Sequence, residues 1–234
     1  MPPIKRPGLP AGKTPAAPPA APKSKYAGTT SVAASRDANY FSAGRYITLI
    51  ERCEAGENQG GAPIIAVNQT VLVADPSTRG PLDEKSGPTK RVGESVTDLF
   101  SKKNVSFAAN LMAFAVTVSG MDQETIRAAE LQPDEQGNPG YDGRFIEEIV
   151  GENQPFAGYV VEVNVKVVPT KAAKASGKPL MEVPMGKDGL FTKVSYERVV
   201  PFSELPELVD AKILARFLPD LDEKIAEENS PPVE

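Results

Sequence analysis

The stretch Gly158-Tyr159-Val160-Val161-Glu162-Val163-Asn164-Val165-Lys166-Val167-Val168 decides the fold class. Tyr159, Val161, Val163, Val165 and Val167 share one face, while Glu162, Asn164 and Lys166 share the other. That period of two is what a strand with one buried face imposes on its sequence. Gly158 introduces it, and the β-branched residues that follow suit a pleated surface.

Working outward, residues 169–190 form a long hairpin loop in which Lys171, Lys174, Lys178 and Lys187 outnumber Glu182 and Asp188. A last strand is expected over 191–200, with Lys193, Ser195 and Glu197 on one face and Val194, Tyr196 and Arg198 on the other. Upstream, Arg45-Tyr46-Ile47-Thr48-Leu49-Ile50-Glu51-Arg52 reads as a first strand opened by Gly44, with a turn over 56–61. Residues 64–74 read as a second strand with Ile65, Val67, Val71 and Val73 on one face, Asn68 and Thr70 on the other, and Gln69 as the interruption. Residues 75–91 are a Pro- and Gly-punctuated basic loop, and a short strand follows over 93–100.

Helices fill the remainder. Phe107, Leu111, Phe114, Ala115 and Val118 recur at spacings of three and four, with Ser106 as N-cap and Gly120 as the stop. Asp122 caps a second short helix through Glu130, residues 132–143 are loop, and 144–150 make two helical turns. After Pro201, Leu205, Leu208, Val209, Ile213, Leu214 and Phe217 predict one amphipathic helix over 202–218, capped by Ser203, that closes the domain or pairs with another copy.

The resulting class is mainly β with peripheral helices. Three strands, a helix, two strands and a terminal helix are the order of the OB-fold, a five-stranded Greek-key barrel with its helix between the third and fourth strands. Greek-key sandwiches and jelly-roll fragments compete with it. The expected organisation is a disordered Pro/Ala-rich basic arm over 1–38, one OB-like domain over 39–218, and an acidic tail over 219–234.

Composition limits the chemistry. Among 234 residues there is no histidine and no tryptophan, and a single cysteine, Cys53. Without histidine there is no Ser-His-Asp, Cys-His or zinc-finger arrangement. A lone thiol suits a reducing compartment, and Cys53 without a base reads as a small buried hydrophobe. Gly8-Leu9-Pro10-Ala11-Gly12-Lys13-Thr14 approaches a phosphate loop, but Pro7 stands where a glycine belongs and no strand precedes it. The acid pairs Asp83-Glu84 and Glu147-Glu148 read as solvated charge. The expectation is a non-enzyme with no cofactor and no metal. No secretory leader and no apolar run of ~18 residues is evident, so a cytoplasmic protein with no membrane partner is expected. The formal charge of −5 confines any polyanion binding to a local patch.

Three stretches, taken in order, carry a resemblance. Gly44-Arg45-Tyr46-Ile47-Thr48-Leu49-Ile50-Glu51, residues 107–120, and residues 158–168 followed by Gly177-Lys178 and Phe191-Thr192-Lys193-Val194-Ser195-Tyr196-Glu197-Arg198-Val199 resemble bacteriophage single-stranded-DNA-binding proteins with an OB-type core. The similarity is one of pattern and order across roughly residues 44–200. It implies sequence-tolerant binding of single-stranded DNA in replication or recombination, in a host-cell cytoplasm, alongside replication or recombination proteins. The acidic C-terminus departs from that pattern by ending Pro231-Pro232-Val233-Glu234 without an aromatic residue.

Such binding requires cations that track phosphates and rings on which bases stack. Tyr46 lies with Thr48 and Arg52 opposite Ile47 and Leu49, which predicts a ring facing solvent. Lys166, Lys171, Lys174, Lys178 and Lys193 make a phosphate track. Tyr159 belongs to the valine face and reads as core, while Tyr196 reads equally as core or platform. The expected interface is therefore Tyr46, Arg52, Lys166, Lys171, Lys174, Lys178, Lys193 and Tyr196. The alternative is a structural or assembly protein, a virion component or adaptor, whose arm and terminal helix mediate self-association as a homodimer.

Overall fold

The computed structural model describes residues 39–57, 61–101, 107–130 and 149–230, with the backbone alone of 107–108 and 127–130. The expected arm over 1–38, the cap at Ser106, the loop over 132–143, and residues 144–148 and 231–234 lie outside the described residues. The five strands form near the expected places: β1 (Gly44–Glu57), β2 (Pro63–Asp75), β3 (Ser95–Ser101), β4 (Val160–Pro169) and β5 (Leu190–Val199). They make one sheet in the order β3-β2-β1-β4-β5. Every neighbouring pair is antiparallel. The sheet is open, with β3 and β5 as its edges.

One helix bridges those edges. In α1 (Phe107–Ser119), Leu111, Phe114, Ala115 and Val118 are all buried, as their spacing predicts. Phe114 is wholly enclosed and its ring centroid lies 5.6 Å from Phe100 of β3, 4.7 Å from Tyr196 of β5 and 5.5 Å from Phe156. A single side chain thus joins both edges and the inner core. Gly120 ends the helix at φ +67°, a left-handed conformation that suits glycine, and donates its N–H to the carbonyl of Val116 at 3.1 Å. Asp122 then caps α2 (Gln123–Glu130), its Oδ1 accepting from the N–H of Thr125 at 2.8 Å. Beyond the undescribed stretch, residues 149–150 are helical and Ile149 is buried.

The opposite face of the sheet departs from expectation. The single helix predicted over 202–218 is broken into a 3-10 turn (Phe202–Glu204), α4 (Leu205–Leu208) and α5 (Ala211–Phe217), preceded by the short α3 (Lys171–Ala175) in the β4–β5 loop. Val209 is extended, at φ −125° and ψ 138°, which ends α4. Asp210 then starts α5 afresh by accepting from the N–H of Lys212 at 2.8 Å. Ser203 is not a cap; its own N–H is donated to Glu228 at 3.1 Å.

The acidic tail expected over 219–234 is also corrected. Residues Leu221–Glu228 form α6, because Leu221 and Ile225 stand one turn apart and pack with Leu205, Val209, Leu214 and Leu218 against Leu49, Leu72, Val160 and Val200 of the sheet and its end. Glu228 fastens the helix, accepting from the N–H groups of Phe202 at 3.2 Å and Ser203 at 3.1 Å. Charged residues occupy the faces of α6 that the core leaves free. Among the described residues no helix is long and apolar enough to cross a membrane.

Candidate nucleic-acid interface

The outward face of β4 and β5 collects part of the expected site. The register places Lys166 opposite Lys193, Asn164 opposite Ser195 and Val168 opposite Phe191. Both lysines are exposed. Neither has an ion-pair partner among the described residues. Like charges directly opposite on a sheet repel, so an anion lying between them would be favoured. Two acids accompany the couple on these strands: Glu197, exposed on β5, and Glu162, which is committed elsewhere. Glu162 is buried and bound by both Arg45 and Arg198, and Arg198 also donates to Glu204 at 2.8 Å.

The loop from β4 to β5 carries the other expected lysines, together with the exposed acids Glu182 and Asp188, and is built rather than slack. Thr170 caps α3 by accepting from the N–H of Ala173 at 3.1 Å, which displays Lys171 and Lys174 to solvent. Lys178 follows and is exposed too. Lys85 pins the far side, donating to the carbonyls of Met181 at 2.6 Å and Val183 at 2.7 Å. Ala173, Val183 and Leu190 are buried beneath the loop with Ala43 and Val167. The lysines therefore stand on a fixed platform.

The two expected rings are corrected. Tyr46 is 1% exposed, 5.3 Å from the Phe41 ring, and donates its hydroxyl to the carbonyl of Ser42 at 2.8 Å. Burial pushes its pKa up. The error lay in the face. Ile47 and Leu49 do pack on apolar residues, but on the outer helices, while Tyr46 and Ile50 fill the inner core. A strand buried on both sides has no solvent face for a ring to occupy. Tyr196 is part-buried against α1, its hydroxyl turned inward to Gln69 and Asp98. Tyr159, read as core, is instead 39% exposed beside Phe202 and Lys224.

Arg52 also leaves the group. It is exposed but ion-paired with Glu54, and it stands opposite Asn68 at the end of β1 remote from β4. It is separated from the Lys166 end by about 25 Å along the strand. Of the remaining expected residues, the fold brings Lys166 and Lys193 together across β4 and β5, while Lys171, Lys174 and Lys178 are exposed on the loop that joins those strands.

The ring that joins them is Phe191, 44% exposed on β5. The alternation that put Lys193, Ser195 and Glu197 on one face includes Phe191 by the same parity, so the signal was present in the sequence. Beside it, a groove of about 220 Å³ runs between the β3 and β5 edges under α1, lined by Asp98, Phe100, Ala113, Phe191, Lys193 and Tyr196 among others. Burial pushes the Asp98 carboxyl up to about 6, against the lowering effect of hydrogen bonds from Tyr196 and the Leu99 N–H. Cys53 is buried, and the same cause pushes its thiol up to about 12, so it is not a thiolate at neutral pH.

In comparisons with known proteins, no family model matches the sequence and no curated protein is similar to it.

Proposed function

We propose that the chain binds single-stranded DNA, without sequence-specific readout of the strand as a whole and without catalysis, along the outward face of β4 and β5. The observation that carries this reading is the Lys166–Lys193 couple, without an ion pair among the described residues and flanked by exposed Phe191, with Lys171, Lys174 and Lys178 exposed on the pinned loop between the two strands. Cations spaced along a strand and a loop follow phosphates, and an exposed ring offers a face for any base. The finer fold reading is a partly open OB-type barrel. Its support is the helix between the third and fourth strands, and the closing of the β3–β5 gap by side chains, through Phe114 and the Tyr196–Asp98 hydrogen bond of 3.2 Å. A role in replication or recombination belongs to the same proposal.

One observation favours an assembly role instead. Leu180, Met181 and Met185 are 37%, 55% and 38% exposed on the β4–β5 loop, apolar side chains that another protein or a second copy could cover. The terminal helices no longer argue for it, since they are spent on this chain's own sheet.

The test is titration of fluorescent oligo-dT, and of a duplex of equal length, at two salt concentrations. Preferential, salt-sensitive binding of the single strand is expected. No binding at low salt would leave assembly as the better account. Competition between acidic side chains of this chain and the phosphates for the lysines is tested by neutralising Asp222, Glu223 and Glu227 to Gln, since removing residues 220–234 would take away α6 and part of its apolar contact.

A further inference from the structure

A one-way chain of hydrogen bonds crosses the interior and ends in the groove. Thr48 Oγ1 donates to Gln69 Oε1 at 2.7 Å, Gln69 Nε2 donates to Tyr196 Oη at 2.9 Å, and Tyr196 Oη donates to Asp98 Oδ2 at 3.2 Å. An amide nitrogen can only donate, so the Tyr196 hydroxyl accepts from Gln69 and gives its own hydrogen to Asp98, and the chain terminates in a carboxylate that accepts. Tyr196 and the Leu99 N–H fix its orientation, and no cation among the described residues pairs with it. A carboxylate with lone pairs left over, lining a groove, calls for a ligand that brings N–H groups.

The groove's size and other walls narrow that ligand. About 220 Å³ is below the ~300 Å³ at which pockets for drug-sized molecules begin, and it suits one flat ring system. Phe100, Ala113 and Phe114 supply apolar wall, Phe191 an exposed ring at the side, and Lys193 a cation for an attached phosphate. We infer that the groove between β3 and β5 receives one unstacked base of the bound strand, and that Asp98 selects guanine there by accepting from its N1–H and N2–H groups. This inference rests on the single-strand reading above and adds a base preference to it.

The discrimination follows from the base edges. Guanine presents two donors side by side, matching the two oxygens of a carboxylate. Cytosine and adenine offer one amino group beside a ring acceptor. Thymine offers a single imide N–H between two carbonyl oxygens, which a carboxylate repels. Binding along the rest of the strand stays tolerant of sequence because the lysines contact phosphate.

The experiment compares d(TG)8, d(TI)8 with inosine in place of guanosine, and dT16, in lithium buffer to suppress quadruplexes, with the full chain, Asp98→Asn and Phe191→Ala. The full chain should bind d(TG)8 about tenfold more tightly than dT16, with d(TI)8 between them because inosine lacks the amino donor. Asp98→Asn should lose the preference while keeping its affinity for dT16 and its fold, since an Asn carbonyl still accepts from Tyr196. Phe191→Ala should weaken all three oligonucleotides by a similar factor. Equal binding of d(TG)8 and dT16, or a preference that survives Asp98→Asn, would overturn the inference and leave single-strand binding standing. Failure to bind any of the three would overturn both.

Discussion

The two ends of β4 meet opposite surroundings. At its start, Val160 is sealed beneath Leu205, Leu214 and Leu221 of the terminal helices, and Tyr46 and Val163 fill the other side of the sheet. At its far end, Lys166 faces Lys193 and both are exposed, with exposed Phe191 beside them. The covered end gains stability from apolar area removed from water, whereas the open end keeps two like charges together. Helices α4 to α6 reach only part of the outer face, so what they leave bare is the strip on which a ligand can lie.

The largest effect that would break this contrast is on the covered side. Leu205 is 0% exposed, so Leu205→Ala should cost about 2–5 kcal/mol of stability in chemical denaturation, from lost transfer energy plus a cavity. On the open side Phe191→Ala should leave stability within about 0.5 kcal/mol and remove about 1–3 kcal/mol of single-strand affinity, read by fluorescence titration. A loss of stability comparable to Leu205→Ala would show that Phe191 is core after all.

Asp98 gives a pH-dependent contrast with both. Burial raises its folded pKa to about 6 from the ordinary 3.8, so the native state holds the proton more tightly than the unfolded chain. Its contribution to stability is greatest below about pH 4 and declines as pH rises towards about 6, above which the buried carboxylate is a net cost. Asp98→Asn should therefore stabilise the protein at pH 7 by about 1–3 kcal/mol, with the gain vanishing near pH 4, as followed by denaturation midpoints across that range. A gain independent of pH would remove the electrostatic explanation.

Smaller effects sharpen the boundary. Glu228→Ala removes the acceptor of two backbone N–H groups and should cost about 1 kcal/mol, with circular dichroism showing loss of helix at the C-terminus. Lys166→Ala should change stability by no more than about 0.5 kcal/mol, towards a gain because it relieves the repulsion from Lys193. It should also reduce the slope of log affinity against log salt by about 0.7. An unchanged slope would take Lys166 out of the phosphate track.

Much of this was legible in the sequence wherever one face of an element meets water. The valine alternation of β4, the spaced apolar stripe of α1, Gly120 as its stop and Asp122 as the next cap all follow from local rules of period and hydrogen bonding. The exposed lysines were legible because charge stays in solvent. Tyr46 was misread for the opposite reason, since β1 is buried on both sides and its alternation carries no label for inside. Gln69 looked like a flaw in β2 and is a link between Thr48 and Tyr196. The broken terminal helix and the docked α6 were missed because long-range packing selects where a chain bends, and composition shows only that α6 is acidic.

The sequence by itself determined a β-based chain with a helix between its third and fourth strands, no histidine chemistry, and lysines crowded after β4, because periodicity and composition are local properties. Only the tertiary structure decided which face of each doubly buried strand is the interior, that α4 to α6 cover one part of the sheet and leave Phe191, Lys166 and Lys193 bare, and that Asp98 ends a hydrogen-bond chain in a groove. Those outcomes depend on contacts between residues far apart in sequence, and no local pattern encodes the partner on the other side.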